Sequence, residues 1–469
     1  MSIIPIYTWN KSILAINKRS KRLSRQPWFQ GVLLLVCVAL AMLLANLPLT
    51  SHYYHSLLET EIQIHFASPN GTVDFMFPRD MTVEKFINDI LMVIFFFTVG
   101  LEIKREVAHG ELSSVKKALL PVIAAFGGVV APALIYTFIN HGTAAASGWG
   151  IPTATDIAFA VCILSMLSDK VPVSLKVFLT ALAIADDLIA ILVVAFFYGG
   201  KINLVLLSIA LGVILFSLLL RKLGDKHMFP YVFLSVVVWI LFYYSGIHAT
   251  MSGVVMAFII PARPRYNKAQ YFRKRNRYIA KIDAYDGIDE EPFPNGPQRH
   301  CLRKLQHIAH GSMDMSYRVE HSLGPWVNFL IMPVFALANA GVQIKDPALF
   351  NIFSFDPKLG GAALGIFLGL LAGKPLGITL FSWLAIKFKI ADMPKDSGWP
   401  LFIAVACLGG IGFTMSIFVD TLSFSEQAPA VMEQLRDAGK IAVLLGSVCA
   451  GLFGSLLIEL NHSFQKTRK

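Results

Sequence analysis

The chain has 469 residues, of which 55% are hydrophobic and only 15% charged, against about 25% charged in soluble domains. Its mean hydropathy is +0.61, more apolar surface than a water-soluble fold can hide, which excludes a soluble enzyme or binding module. The net charge of +11 would suit nucleic acid, but its distribution along the chain follows membrane topology instead.

A basic tail, residues 1–27, leads directly into the first apolar run, so no short cleavable signal stands apart. Twelve stretches approach the ~20-residue length that crosses a bilayer. They are 28–47, 86–103, 118–139, 150–167, 173–197, 202–220, 229–244, 246–261, 326–342, 360–386, 400–419 and 438–460. Only Ser245-Gly246 divides the seventh from the eighth. The expected fold is an all-α integral membrane protein of about twelve transmembrane helices. Its segments are the tail, spans 1–8 over 28–262, a polar insertion over 263–325, spans 9–12 over 326–460, and a tail over 461–469.

Lys and Arg concentrate on alternate loops, which places both termini in the cytoplasm by the positive-inside rule. The outside segment 48–85 holds IQIHF and TVDFMF around an Asn-Gly turn, a β-hairpin signal. A lone hairpin is marginal in water, so pairing with a second protomer's hairpin is expected to support it, giving a homodimer. The insertion 263–325 runs from basic through acidic to basic. It reads as a mobile cytoplasmic insertion. A charge run of this kind is more often a solvated face than a binding site, with contact to anionic lipid as the functional alternative. Cys37, Cys162, Cys301, Cys407 and Cys449 form neither a disulfide framework nor a metal spacing.

Carboxylates stand where hydrocarbon is expected. Asp156 lies in the fourth span behind Pro152, Thr153 and Thr155, and Asp186 and Asp187 are neighbours in the fifth. An ionised carboxylate at membrane depth needs a polar cavity or a partner, so these spans point to a site handling cations or protons. Pro152 removes a backbone donor and suggests a break. Gly409, Gly410 and Gly412 suggest a matching break in the eleventh span, although glycines there also serve close helix packing. Interrupted helices in the two halves of a membrane chain point to inverted repeats with a midplane site. Asp156 would offset the positive helix ends there and Lys374, in the tenth span, the negative ones. Lys374 also needs a carboxylate partner. Adjacent aspartates lie about 100° apart on a helix, so one faces a cavity and the other a neighbouring helix. Lys176 snorkels near an inside end. His248, alone in an apolar span, is more often a helix–helix hydrogen bond than a ligand.

The stretches FFFTVGLEIKRE, GWGIPTATDIAFA, LKVFLTALAIADDL, SGIHATMSG, FALANAGV, GKPLGI and GGIGFTMSIF resemble the NhaA-type sodium/proton antiporters, from first span to last. That family is itself a standard example of inverted repeats with broken helices. The resemblance implies that the fourth and eleventh spans are interrupted and cross at the midplane. It implies that Asp186 and Asp187 bind the transported Na⁺ or proton, with Asp156 and Thr155 beside the crossing and Lys374 paired to Asp186. It also implies Li⁺ as a substrate, electrogenic exchange, a bacterial inner-membrane location and no cofactor. Regulation by pH would fall on Glu102, Glu106, His248, Arg318 and Glu320. Two departures bear on that regulation. The family's usual His before the Pro-Trp of the ninth span is Gly324, and the 263–325 loop is longer than in the better-known members.

The expected mechanism is competition. Desolvation penalises an ionised aspartate, so either a proton or a sodium ion neutralises it while the site opens alternately to each side. A sodium-coupled symporter on a related inverted-repeat fold is the alternative. An intramembrane aspartyl protease would need its aspartates on separate helices and a GxGD motif, which the adjacent pair does not offer.

Overall fold

The computed structural model describes residues 27–467 apart from 63, 68–73, 78–80, 201, 226, 263, 285–293, 295, 345–351, 354, 358, 425 and 426. Among the described residues, 9 helices are long and apolar enough to cross a membrane, or up to 11 when each of two bent pairs is taken as one span. The eighth expected span is shorter than expected: its helix is the ten residues Thr250–Ile259. Gly246 cuts it from the seventh by taking φ 85°, a left-handed helix cap that suits glycine.

In chain order the helices are α1 (Pro27–Asn46), α2 (Ser51–Glu59), α3 (Val83–His109) and α4 (Val115–Ile139). A tight 3-10 segment, Ala144–Thr153, then precedes α5 (Ile157–Met166) and α6 (Val173–Phe197). Next come α7 (Leu204–Lys222), α8 (Met228–Ser245), α9 (Thr250–Ile259), α10 (Lys268–Asp283) and α11 (Gly296–Ser312). The last are α12 (Met315–Asn339), α13 (Ala362–Lys387), α14 (Trp399–Leu408), α15 (Phe413–Ser423) and α16 (Pro429–Thr467). Between α2 and α3, β1 (Ile64–Ala67) pairs antiparallel with β2 (Asp74–Phe77), Ile64 opposite Phe77. The expected Asn-Gly turn lies outside the described residues.

The helix surfaces show which solvent they are built for. Along α1, Leu34, Val38, Ala41 and Ala45 are buried at the i, i+4, i+7, i+11 spacing of one helix face, while Val36 and Leu43 on other faces are each 57% exposed and equally apolar. A helix whose exposed face is as hydrophobic as its packed one belongs in lipid.

The chain forms two compact units. One consists of Met1–Met92, Glu106–Gly200 and Val327–Lys469, and holds α4, α5, α6, α13, α14, α15 and α16. Here α4 and α13 approach closely: a Cβ at Gly377 would collide with the Gly127 carbonyl. Among the described residues three turns are widened to π geometry, and two of them, Val327–Ile331 and Gly369–Gly373, precede prolines. Each contains the residue four before a proline, Phe329 before Pro333 and Leu371 before Pro375. Proline supplies no N–H to that carbonyl, so the ladder relaxes outward. The second turn sets the position of Lys374, which follows it directly.

The other unit consists of Val93–Arg105 and Lys201–Trp326. Its core gathers Leu101, Tyr231, Val238, Met256, Ala257, Ile260 and Met315. The polar stretch after α9 is helical over α10 and α11. The Asn267 side chain caps α10, and Gln270 reaches back to its backbone in a capping box.

Candidate functional site

Two breaks in the helix ladder face each other in the first unit. The fourth span bends by 42° between Ala144–Thr153 and α5, and the eleventh by 50° between α14 and α15. A break strands backbone donors on one side and carbonyls on the other. Here the two breaks satisfy each other. Asp156 N–H donates to Ile411 O at 2.7 Å, and Thr155 Oγ1 donates to Gly409 O at 2.9 Å. Both carbonyls follow the end of α14.

Asp156 serves two helix starts at once. Its Oδ1 accepts from Ala158 N at 3.0 Å and Phe159 N at 3.3 Å, capping α5. Its Oδ2 accepts from Thr414 N at 3.1 Å and from the Thr414 hydroxyl, at the start of α15. One carboxylate, 2% exposed, thus sits at the positive ends of two helices.

Lys374 is 1% exposed. Its ammonium donates to Asp186 Oδ2 and, at 2.6 Å, to Thr155 Oγ1. Since that hydroxyl donates onward to Gly409 O, the lysine acts on the carbonyl end of α14 through Thr155 rather than directly. Asp186 is 1% exposed, and its Oδ1 has no hydrogen-bond partner among the described residues. Asp187, 3% exposed, follows on α6 and lies within electrostatic reach of Lys374. The site therefore joins three buried carboxylates, one buried ammonium and two hydroxyls. Chemically it can hold a small hard cation or a proton at the aspartates, with fixed dipoles and Lys374 offsetting the rest.

The structure brings Asp156, Thr155, Asp186, Asp187 and Lys374 together in one unit. Glu102, His248, Arg318 and Glu320 belong to the other, and Glu106 returns to the first. Arg105 pairs with Glu320 and lies 3.9 Å from Glu102. Arg318 lines a cavity of about 390 Å³ with His227, His307 and His310. His248 stands in the turn before α9, half-buried. Glu106 Oε2 accepts from Glu111 N at 3.0 Å.

Sequence reasoning did not assign a role to Thr414, whose hydroxyl and amide both hold Asp156. It also missed Asp420, because the expected span ended at 419 whereas α15 continues to Ser423. An acidic residue directly behind an apolar run was the available signal.

Comparison with known proteins identifies a family. The sequence model of the family described as Na+/H+ antiporter 1 matches residues 21–458. A protein of Oleidesulfovibrio alaskensis named Na(+)/H(+) antiporter NhaA is 42% identical over 430 residues, 92% of this chain and 91% of its own length. Identically named proteins are 40% identical in Pelagibacter ubique, over 93% of this chain and 98% of theirs, and 39% identical in Helicobacter pylori, over 95% and 96%.

Proposed function

The chain belongs to the Na+/H+ antiporter 1 family, and we propose that it exchanges cytoplasmic Na⁺ for external protons at the carboxylates of Asp186 and Asp187. One observation supports that site: two interrupted spans meet at a buried cluster that includes this aspartate pair and Lys374. An uncompensated charge in a membrane interior is costly. The aspartates therefore carry either a proton or a sodium ion when the site changes its exposure, and the two species compete. Asp156 and Thr155 hold the two breaks in register, and Lys374 keeps Asp186 in place. Lithium, a smaller hard cation of the same charge, is carried as well, and the exchange is electrogenic.

Everted membrane vesicles with an established proton gradient test this reading. Added Na⁺ or Li⁺ should move protons, and K⁺ should not. Sodium-driven uptake of a labelled solute, without proton movement, would select the symporter reading instead.

The membrane is the bacterial cytoplasmic membrane, with both termini, 1–27 and 461–469, and the segment 263–325 on its cytoplasmic side. The distribution of Lys and Arg supports this sidedness. The basic parts of 263–325 meet anionic lipid. Regulation by pH resides at Glu102, Glu106, His248, Arg318 and Glu320. The Arg105 contacts to Glu102 and Glu320 favour this, since protonating either acid weakens them.

The antiporter acts as a homodimer through the hairpin of β1 and β2, whose strand edges offer unpaired backbone groups. Deleting residues 62–77 should lower the dimer fraction in detergent while each protomer keeps its transport. A deletion variant that stays fully dimeric would place the contact elsewhere.

A further inference from the structure

Asp420 has no part in the site described above, yet it is the most isolated carboxylate among the described buried residues. It is 0% exposed, and among the described residues neither oxygen has a hydrogen-bond partner and no ion pair is formed. Most of the donors around it are engaged elsewhere, the exception being Arg436 Nε, itself buried without a hydrogen-bond partner among the described residues. Tyr136 on α4 donates to Ala145 O at 2.8 Å, and Tyr198 at the end of α6 donates to Ser147 O at 2.9 Å. Arg436 on α16 donates to Thr421 O. Lys440 and Asp437, also on α16, lie within electrostatic reach without bonding to it. Gly439 leaves the carboxylate room, for a Cβ there would collide with Asp420 Oδ1. A carboxylate that served only to hold helices together would use its oxygens in hydrogen bonds.

Its position suggests what it does instead. Asp420 lies six residues beyond Thr414, about 9 Å along α15 at 1.5 Å per residue, and Thr414 holds Asp156. Between them, Ser416 stands one turn before Asp420 on the same helix face. Its Oγ is also buried without a hydrogen-bond partner among the described residues. Beyond Asp420, Thr421 lines a cavity of about 820 Å³ together with His55, Glu84, Arg436, Asp437 and Lys440. By the distribution of Lys and Arg, this end of α15 faces outward.

We infer that Asp420, with Ser416, is a transient binding station for the monovalent cation, proton or Na⁺, between the outer cavity and the central aspartates. The inference rests on the antiport reading and gives that route a defined outer half. A station on one side only should act on one side only.

The test uses Asp420→Asn in right-side-out and everted vesicles, with Na⁺ and pH varied separately at the exposed face. Apparent affinity at the outer face should weaken at least about tenfold, on the order of losing one charged hydrogen-bond partner. Affinity at the inner face should stay unchanged. A shift in the pH response at the outer face alone identifies the proton as the occupant; a shift in Na⁺ affinity at fixed pH identifies sodium. Asp420→Glu should restore much of the loss, and Ser416→Ala should repeat it more weakly. Equal losses at both faces, or none, in these variants would overturn the inference. If Asp420→Asn does not reach the membrane, the sidedness of Ser416→Ala decides. Should the unaltered protein show no sodium-driven proton movement, the antiport reading itself fails, a result distinct from a symmetrical variant.

Discussion

Asp187→Asn and Asp186→Asn should each abolish sodium-driven proton movement in everted vesicles, while the protein still reaches the membrane. An amide matches the carboxylate in shape but carries no exchangeable negative charge. It neither binds a proton at working pH nor offsets a sodium ion. Removing one partner from a buried ionic site costs several kcal/mol, which exceeds a hundredfold loss in ion affinity. The two variants differ in what they leave behind. Asp186→Asn also deprives the buried Lys374 of its ion pair, so this protein should be less stable as well as inactive. Asp187→Asn leaves that pair in place and should affect transport more than folding. Near-normal exchange in either variant would remove that residue from the site.

Lys374→Ala should lower the stability of the detergent-solubilised protein by about 3–5 kcal/mol, the usual consequence of breaking a buried pair. Lys374 and Asp186 are each 1% exposed, so water cannot replace the lost partner. The same change leaves Thr155 without the ammonium that its oxygen accepts, at the seam between the two breaks. The double variant Lys374→Met/Asp186→Asn should recover most of the stability, because exchanging both charges for uncharged groups is often neutral. It should remain inactive, because the carboxylate is gone. Thermal unfolding of the unaltered protein, Lys374→Met, Asp186→Asn and the double variant measures the coupling between the positions. A Lys374→Ala protein as stable as the unaltered one would show that the pair does not hold α6 to α13.

The helical class was legible because a bilayer requires long apolar runs, and 173–197 coincides with α6 for the same reason. Breaks were legible where residue chemistry forces them: Pro152 before Asp156, and Gly409, Gly410 and Gly412 before Thr414. The division at Ser245-Gly246 belongs with these, since it needs a left-handed residue. The eighth span came out shorter because hydropathy does not register that 246–249 form a turn. Contacts across the site were not legible. Asp156 and Thr414 are 258 residues apart in sequence, and no spacing rule joins them. Asp420 was hidden by a boundary, since hydropathy ends a span at the first acid whereas α15 packs on for another turn. The widened turn before Lys374 was implicit in Pro375, yet only the folded helix shows where it points the ammonium.

Competition between Na⁺ and H⁺ for one buried carboxylate site is the central claim, and apparent sodium affinity in proteoliposomes across pH tests it most directly. If one proton must leave before sodium binds, the apparent dissociation constant is the intrinsic one multiplied by one plus the ratio of proton concentration to the site's acid constant. On the acid limb it should rise about tenfold per unit fall in pH, each step being ~1.4 kcal/mol of proton binding to displace. On the alkaline limb it should level off. Two coupled protons would steepen the acid limb, and the fitted constants would then belong to the aspartate pair. Gating through Glu102 or Glu320 acts differently, changing the maximal rate with pH and leaving the affinity curve in place. An apparent affinity that rises about tenfold per pH unit and then reaches a plateau is the expected result. An affinity independent of pH, with only the rate changing, would contradict competition at this site.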